Sequence, residues 1–118
     1  FRVADAFGMH LHKLMGQQVP DWANDEEAAL AVFNAHMAAA KIAGGHGIGY
    51  DRDSLCGNIA NCKRGLRSLD ECIETLEAMS AEGRLAADVA RKVVGEARQV
   101  RACVQNWIDT LRSRVWWR

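Results

Sequence analysis

Proline is almost missing: Pro20 is the only one in 118 residues, which leaves long stretches free of the residue that most reliably breaks a helix. Runs of alternating β-branched residues are also lacking, and alanine is abundant, so the chain favours helix over sheet. No apolar run approaches the roughly 18 to 20 residues of a membrane span, and no secretory leader is visible. A cytoplasmic protein without a membrane segment is therefore expected. The chain starts at Phe1 rather than Met, which leaves a processed start or a fragment open. An excess of either charge is missing too. Fifteen Lys and Arg balance fifteen Asp and Glu, and this excludes the strong global field of a histone-like or polyacidic chain.

Cysteine is sparse, and its spacing limits its chemistry. Cys56, Cys62 and Cys72 fall within one predicted helix, where separations of 6, 10 and 16 residues keep their Cα atoms beyond disulfide reach. Only a bridge to Cys103 could form, and reduced core thiols are the expected state. A composition of 49% hydrophobic and 25% charged residues argues against disorder. A chain of this length makes a single domain, residues 1–118, around one core.

What is present is a long apolar seam. Leu55, Ile59, Cys62, Leu66, Leu69, Ile73 and Leu76 are separated by alternating steps of four and three, the spacing of a helix face that packs against partners. The helix that carries them is capped by Asp53 or Ser54, runs to about Ala81, and ends where Gly83 supplies a left-handed C′ residue. Before it, Val3, Phe7, Leu11 and Leu14 mark a first helix over about Arg2 to Gln18, closed by Pro20. A second helix starts at Asn24 as N-cap, with Asp25, Glu26 and Glu27 favouring its positive end. It carries Leu30, Phe33, Met37 and Ala40 at the same spacing and is expected to end at Gly44. Its many alanines would let a neighbour's backbone come close. Four glycines in the stretch from Gly44 to Gly49 then predict a loop. Neither the Lys-Ser/Thr ending nor the spacing of a phosphate cradle is present there. The last helix, about Ala86 to Val115, aligns Val93, Val100, Val104, Trp107, Leu111 and Val115. The expected fold is an all-α, antiparallel, up-and-down four-helix bundle.

Catalytic and metal-binding patterns are hard to find. His10, His12, His36 and His46 form no Glu-x-x-His pair, and His10 and His12 point about 200° apart on one helix. Cys62 sits on the packed seam, with Cys56 and Cys72 beside it, and a buried thiol has a raised pKa and little reactivity. No enzyme activity and no metal or cofactor are expected. The remaining alternative of that kind is a small-ligand bundle with His10 or His36 facing inward.

The best functional feature is basic and aromatic. Arg91, Arg98, Arg101 and Arg112 share an arc of about 80° on the last helix, interrupted by Asp88, Glu96 and Asp109. Arg114, Trp116, Trp117 and Arg118 close the chain. Arginine suits bidentate phosphate or carboxylate contacts, and the tryptophans suit stacking or protein interfaces. Charge is also uneven along the chain: four basic and seven acidic residues precede Lys63, and eleven basic and eight acidic follow from it. An anionic partner would meet the second half.

From Ser68 to Arg114 the chain resembles the C-terminal half of small bacterial four-helix-bundle proteins, the ribosomal RNA intervening-sequence family and the accessory proteins of diversity-generating retroelements. The resemblance rests on Ser68-Leu69, the Gly83-x-Leu85 corner, Glu96, and Trp107 to Leu111. Asn58-Ile59-Ala60 looks like the family's short Asn-Ile-Ala element, although it lies closer to Ser68-Leu69 than the family's spacing and lacks the preceding proline. The match implies an up-and-down bundle that assembles into a ring-like oligomer, with nucleic acid or a nucleic-acid enzyme as partner. The function expected is that of a non-enzymatic oligomerising adaptor, a homo-oligomer with a protein partner, acting through Arg91, Arg98, Arg101, Arg112, Arg114, Trp116, Trp117 and Arg118. The second reading gives those residues RNA or DNA instead.

Overall fold

The structure, a computed structural model, describes residues 1–115. Four helices follow one another, α1 (Arg2–Gln18), α2 (Glu26–Ile48), α3 (Leu55–Ala81) and α4 (Ala87–Ser113), with a short 3-10 helix, Trp22–Asn24, between the first two. They form an antiparallel up-and-down four-helix bundle with overall extents of 50 × 22 × 19 Å. No strand occurs among the described residues. In the ring of helices α1 lies between α2 and α4, and α3 closes the other side.

The seam of α3 packs as its spacing predicts. Leu55, Ile59, Cys62, Leu69, Ile73 and Leu76 are buried, and Leu66 is half-buried against the same core. Phe7, Leu11 and Met15 face them from α1, and Val93, Val100, Val104, Ile108 and Leu111 from α4. Burying a side chain of this size contributes about 1.5–3 kcal/mol. Cys72, beside the seam in sequence, is also buried. The corner after α3 is a Schellman turn. Gly83 takes φ 75°, its N–H donates to the Ser80 carbonyl, and the Arg84 N–H donates to the Met79 carbonyl.

The second helix departs from expectation in three ways. Its N-cap is Asp25, whose Oδ1 accepts from the Ala28 N–H at 3.0 Å, while Asn24 belongs to the preceding turn and donates to Asp21. Its end is Ile48, so Gly44 to Gly47 are helical rather than a loop. Each helical glycine is disfavoured by about 1 kcal/mol relative to alanine, and packing of α2 on α3 offsets that here. A β-carbon on Gly45 would meet Asn58 Oδ1 at 2.7 Å and the Asn58 carbonyl at 2.9 Å. From the opposite helix, a β-carbon on Gly65 would meet the Ala38 carbonyl and the Ile42 side chain at 3.0 Å. The two backbones approach closely because these positions lack side chains. The helix stops at Gly49, at φ 116°, and the buried Asn58 amide donates to the Gly49 carbonyl at 2.8 Å.

The third departure is the direction of the apolar stripe on α2. Leu30 and Phe33 are 47% and 55% exposed, and Ala40 is also exposed. The core takes the alanine side, Ala28, Ala31, Val32, Ala35, Ala38 and Ile42. Small residues let α2 sit close to both neighbours, and the larger side chains are left on the outside.

Candidate functional site

The arginines of the last helix do not form one open basic face. Arg101 reaches across to Asp70 on α3, Nε to Oδ1 at 2.6 Å and a second guanidinium nitrogen to Oδ2 at 3.3 Å. This pairing raises the Arg101 pKa further against a smaller opposing effect of burial. Arg98 pairs with Glu77 at 3.1 Å. Arg91 and Arg98 line an open groove of about 590 Å³ between α3 and α4, which Glu77 also lines. At the far end of the same helix pair, Arg112 lines a second groove of about 420 Å³ with Lys63, Cys56 and Val115. Two of the four arginines are therefore committed to carboxylates of their own chain.

Folding sorts charge differently from the order of the sequence. Cutting each helix at its midpoint, the half that holds Phe1, Tyr50 and Val115 contains nine Lys and Arg against four Asp and Glu in residues 1–9, 38–67 and 101–115. The opposite half, residues 10–37 and 68–100, contains five against eleven. A chain without net charge thus folds into a rod with a basic pole and an acidic pole. At the acidic pole Arg84 pairs with Asp25 and Glu27 and lies 3.8 Å from Glu82. Glu27 has a raised pKa, chiefly through its hydrogen bond with Glu82, with burial and repulsion from Glu82 and Glu26 adding to it.

The basic pole carries aromatic rings as well. Tyr50 and Trp107 meet edge to face with centroids 6.1 Å apart, and the Arg114 guanidinium lies 5.8 Å from the Trp107 ring centre. His46 hydrogen-bonds the Tyr50 hydroxyl, and these side chains with Phe1 and Ile42 border a recess of about 250 Å³. Trp116, Trp117 and Arg118 follow this pole in sequence and lie outside the described residues. Tyr50 and His46 were not legible as site residues, because the stretch that carries them reads as a glycine loop.

Histidines and thiols are dispersed. His10 faces outward and bonds Glu96 on α4 at 2.6 Å, and His36 is exposed, 3.2 Å from His12. Neither histidine faces the interior, which the alanine face of α2 and the large side chains of α1 fill. Among the described residues no group of three or more His, Cys, Asp or Glu is placed to hold a metal ion. The Cys72 thiol is pushed up to about 12 by burial, and Cys62 is raised for the same reason. All four cysteines are free, and no described helix is long and apolar enough to cross a membrane.

The second surface lies on α2. Leu30, Phe33, Met37, Ala40, Gly44 and Ile48 follow one another at helical spacing along its outer side, and all but the half-buried Met37 are exposed. Between Ala28 and Ile48 the helix carries one Lys, Lys41, and no Asp or Glu, so no carboxylate borders the stripe over that length. Single exposed apolar residues are ordinary, whereas here they follow one another at helical spacing, with Lys41 as the one ionised side chain beside them over that length.

No protein-family model, curated protein or solved structure matches this chain.

Proposed function

We propose that this protein is a non-enzymatic adaptor that self-associates and holds a second, anionic partner at its basic pole. The observation that carries the reading is the outer face of α2, an apolar stripe of helical spacing that the bundle itself leaves uncovered. Hydrophobic burial drives association in proportion to the apolar area removed from water. The basic pole, with Arg112, Arg114 and the Tyr50 and Trp107 rings, complements an acidic protein surface. Trp116, Trp117 and Arg118 extend the same end in sequence. Arg91, Arg98 and Arg101 support the reading less directly, because Arg98 and Arg101 already hold Glu77 and Asp70. Sedimentation equilibrium between about 1 and 100 μM tests self-association, and dimers or larger species with a Kd in the micromolar range are expected. A strict monomer throughout would refute the reading.

Nucleic acid is the second reading, favoured by the same pole. Base stacking on aromatic rings beside arginines is the recognition used for single strands, and the resemblance of the region from Ser68 to the retroelement accessory proteins points the same way. A labelled single-stranded oligonucleotide should bind at 50 mM salt, weaken steeply by 200 mM as counterion release requires, and lose affinity in Arg112→Ala/Arg114→Ala. Absence of binding at low salt, or binding indifferent to both substitutions, would remove it.

A further inference from the structure

We propose that the outer face of α2 docks against the same face of a second copy in antiparallel register, about a two-fold axis near Ala38 and Ala39. The inference rests on the self-association reading above and specifies its surface, occupant and orientation.

Size complementarity is the first argument. The stripe changes character along the helix: Leu30, Phe33 and Met37 are bulky, while Ala40, Gly44 and the neighbouring Gly47 are small, and only Ile48 restores bulk at its end. Two antiparallel copies crossing near Ala38 and Ala39 bring Leu30 opposite Gly47, Phe33 opposite Gly44, and Met37 opposite Ala40, with every pair repeated by the two-fold. Each bulky side chain then meets a small residue of the partner, with Gly44 bordered by its own Asn61 and Ile48 opposite Ala29, so the face is self-complementary as a two-fold contact needs. In the monomer nothing lies within 4 Å of where a Gly47 β-carbon would stand, so that gap is open to a partner. A parallel pair would set Phe33 against Phe33 and Gly44 against Gly44, leaving collisions at one end and voids at the other.

Charge is the second, independent argument. Antiparallel docking lays the acidic half of one rod along the basic half of its partner, eleven acidic and five basic residues beside four acidic and nine basic. A parallel dimer would set like poles together, which costs association free energy. Area also suffices. The side of a rod with extents of 50 × 22 Å is on the order of 1,000 Å², so the roughly 800 Å² that each partner contributes to a standard interface is reached when the flanks of the neighbouring helices join the α2 stripe.

The test uses the full chain carrying Cys103→Ser, which removes the exposed native thiol. Separately tagged Leu30→Cys and Gly47→Cys proteins are mixed and mildly oxidised, and a mixed disulfide dimer is expected, with little Leu30→Cys homodimer. Predominant Leu30→Cys homodimer would overturn the antiparallel register while leaving self-association intact. In a second arm, Phe33→Glu and Gly47→Leu should each raise the dimer dissociation constant at least about tenfold with the helical circular dichroism of the monomer unchanged. A dimer indifferent to both substitutions would overturn the α2 face but not self-association, and a parent protein monomeric at about 100 μM would overturn both.

Discussion

Gly45 of α2 and Asn58 of α3 occupy one contact, in which a β-carbon on the glycine would stand 2.7 Å from the amide oxygen of the asparagine. The close approach of α2 to α3 at this point depends on that missing carbon, which would also stand 2.9 Å from the Asn58 carbonyl oxygen. Gly45→Ala is therefore expected to lower stability by about 1–3 kcal/mol through overpacking, despite the higher helix propensity of alanine. Gly47→Ala, two residues on and open in the monomer, should raise the stability of the monomer, measured in dilute solution, by about 0.5–1 kcal/mol. Urea denaturation of the two variants measures both, and a shift of the same sign would contradict the packing account.

Asn58 is fully buried and satisfies the Gly49 carbonyl with its amide while its oxygen lies 3.6 Å from the Cys62 thiol. Asn58→Leu keeps the number and branching of the side-chain heavy atoms but leaves that carbonyl without its donor and adds bulk beside Gly45, so a loss of at least about 1–3 kcal/mol is expected. Thermal melts give the loss. Faster amide exchange confined to residues 49–54 would place it at the α2–α3 connection.

Burial raises the Cys72 thiol from its ordinary value of about 9 to about 12. In alkali the unfolded chain releases this proton first, and the folded chain holds it. Stability is therefore intact below pH 9 and falls as pH rises from about 9 to about 12, by at most about 1.4 kcal/mol per pH unit. Cys72→Ala should flatten that slope. In an alkylation time course at pH 8, Cys103 should react first, half-buried Cys56 later, and Cys62 and Cys72 only as the protein unfolds.

Arg84 gathers Asp25 and Glu27 of α2 and approaches Glu82 at the α3–α4 corner. Arg84→Ala should lower the melting midpoint by about 3–5 °C at low ionic strength. Most of the loss should disappear in 1 M salt, because salt screens repulsion among the remaining carboxylates. An unchanged loss in high salt would point to lost packing of the arginine stem instead.

Much of the bundle was legible because large apolar residues announce their own period. The α3 seam, the Val93 to Leu111 face and the Gly83 corner all follow from local rules that the tertiary structure does not oppose. The second helix was misread twice for a single reason. Its tertiary partners select the small residues, so Leu30 and Phe33 face out, and Gly45, in a glycine run that would break an isolated helix, becomes part of the contact with α3. The basic arc was visible on a helical wheel, but a wheel shows nothing of Asp70 and Glu77 waiting on the next helix. The poles escaped because antiparallel folding brings residues 1–9, 38–67 and 101–115 together, a grouping absent from the linear order.

The close α2–α3 contact bears on how the chain comes together. Only residues 49–54 separate these helices, so their pairing closes a short loop at little entropic cost. Interlocking Gly45 with Asn58, and Gly65 with Ala38, fixes the register of the hairpin before α1 or α4 is needed. The hairpin is therefore expected to form first, and in native-state hydrogen exchange the amides of α1 and α4 should open before those of α2 and α3.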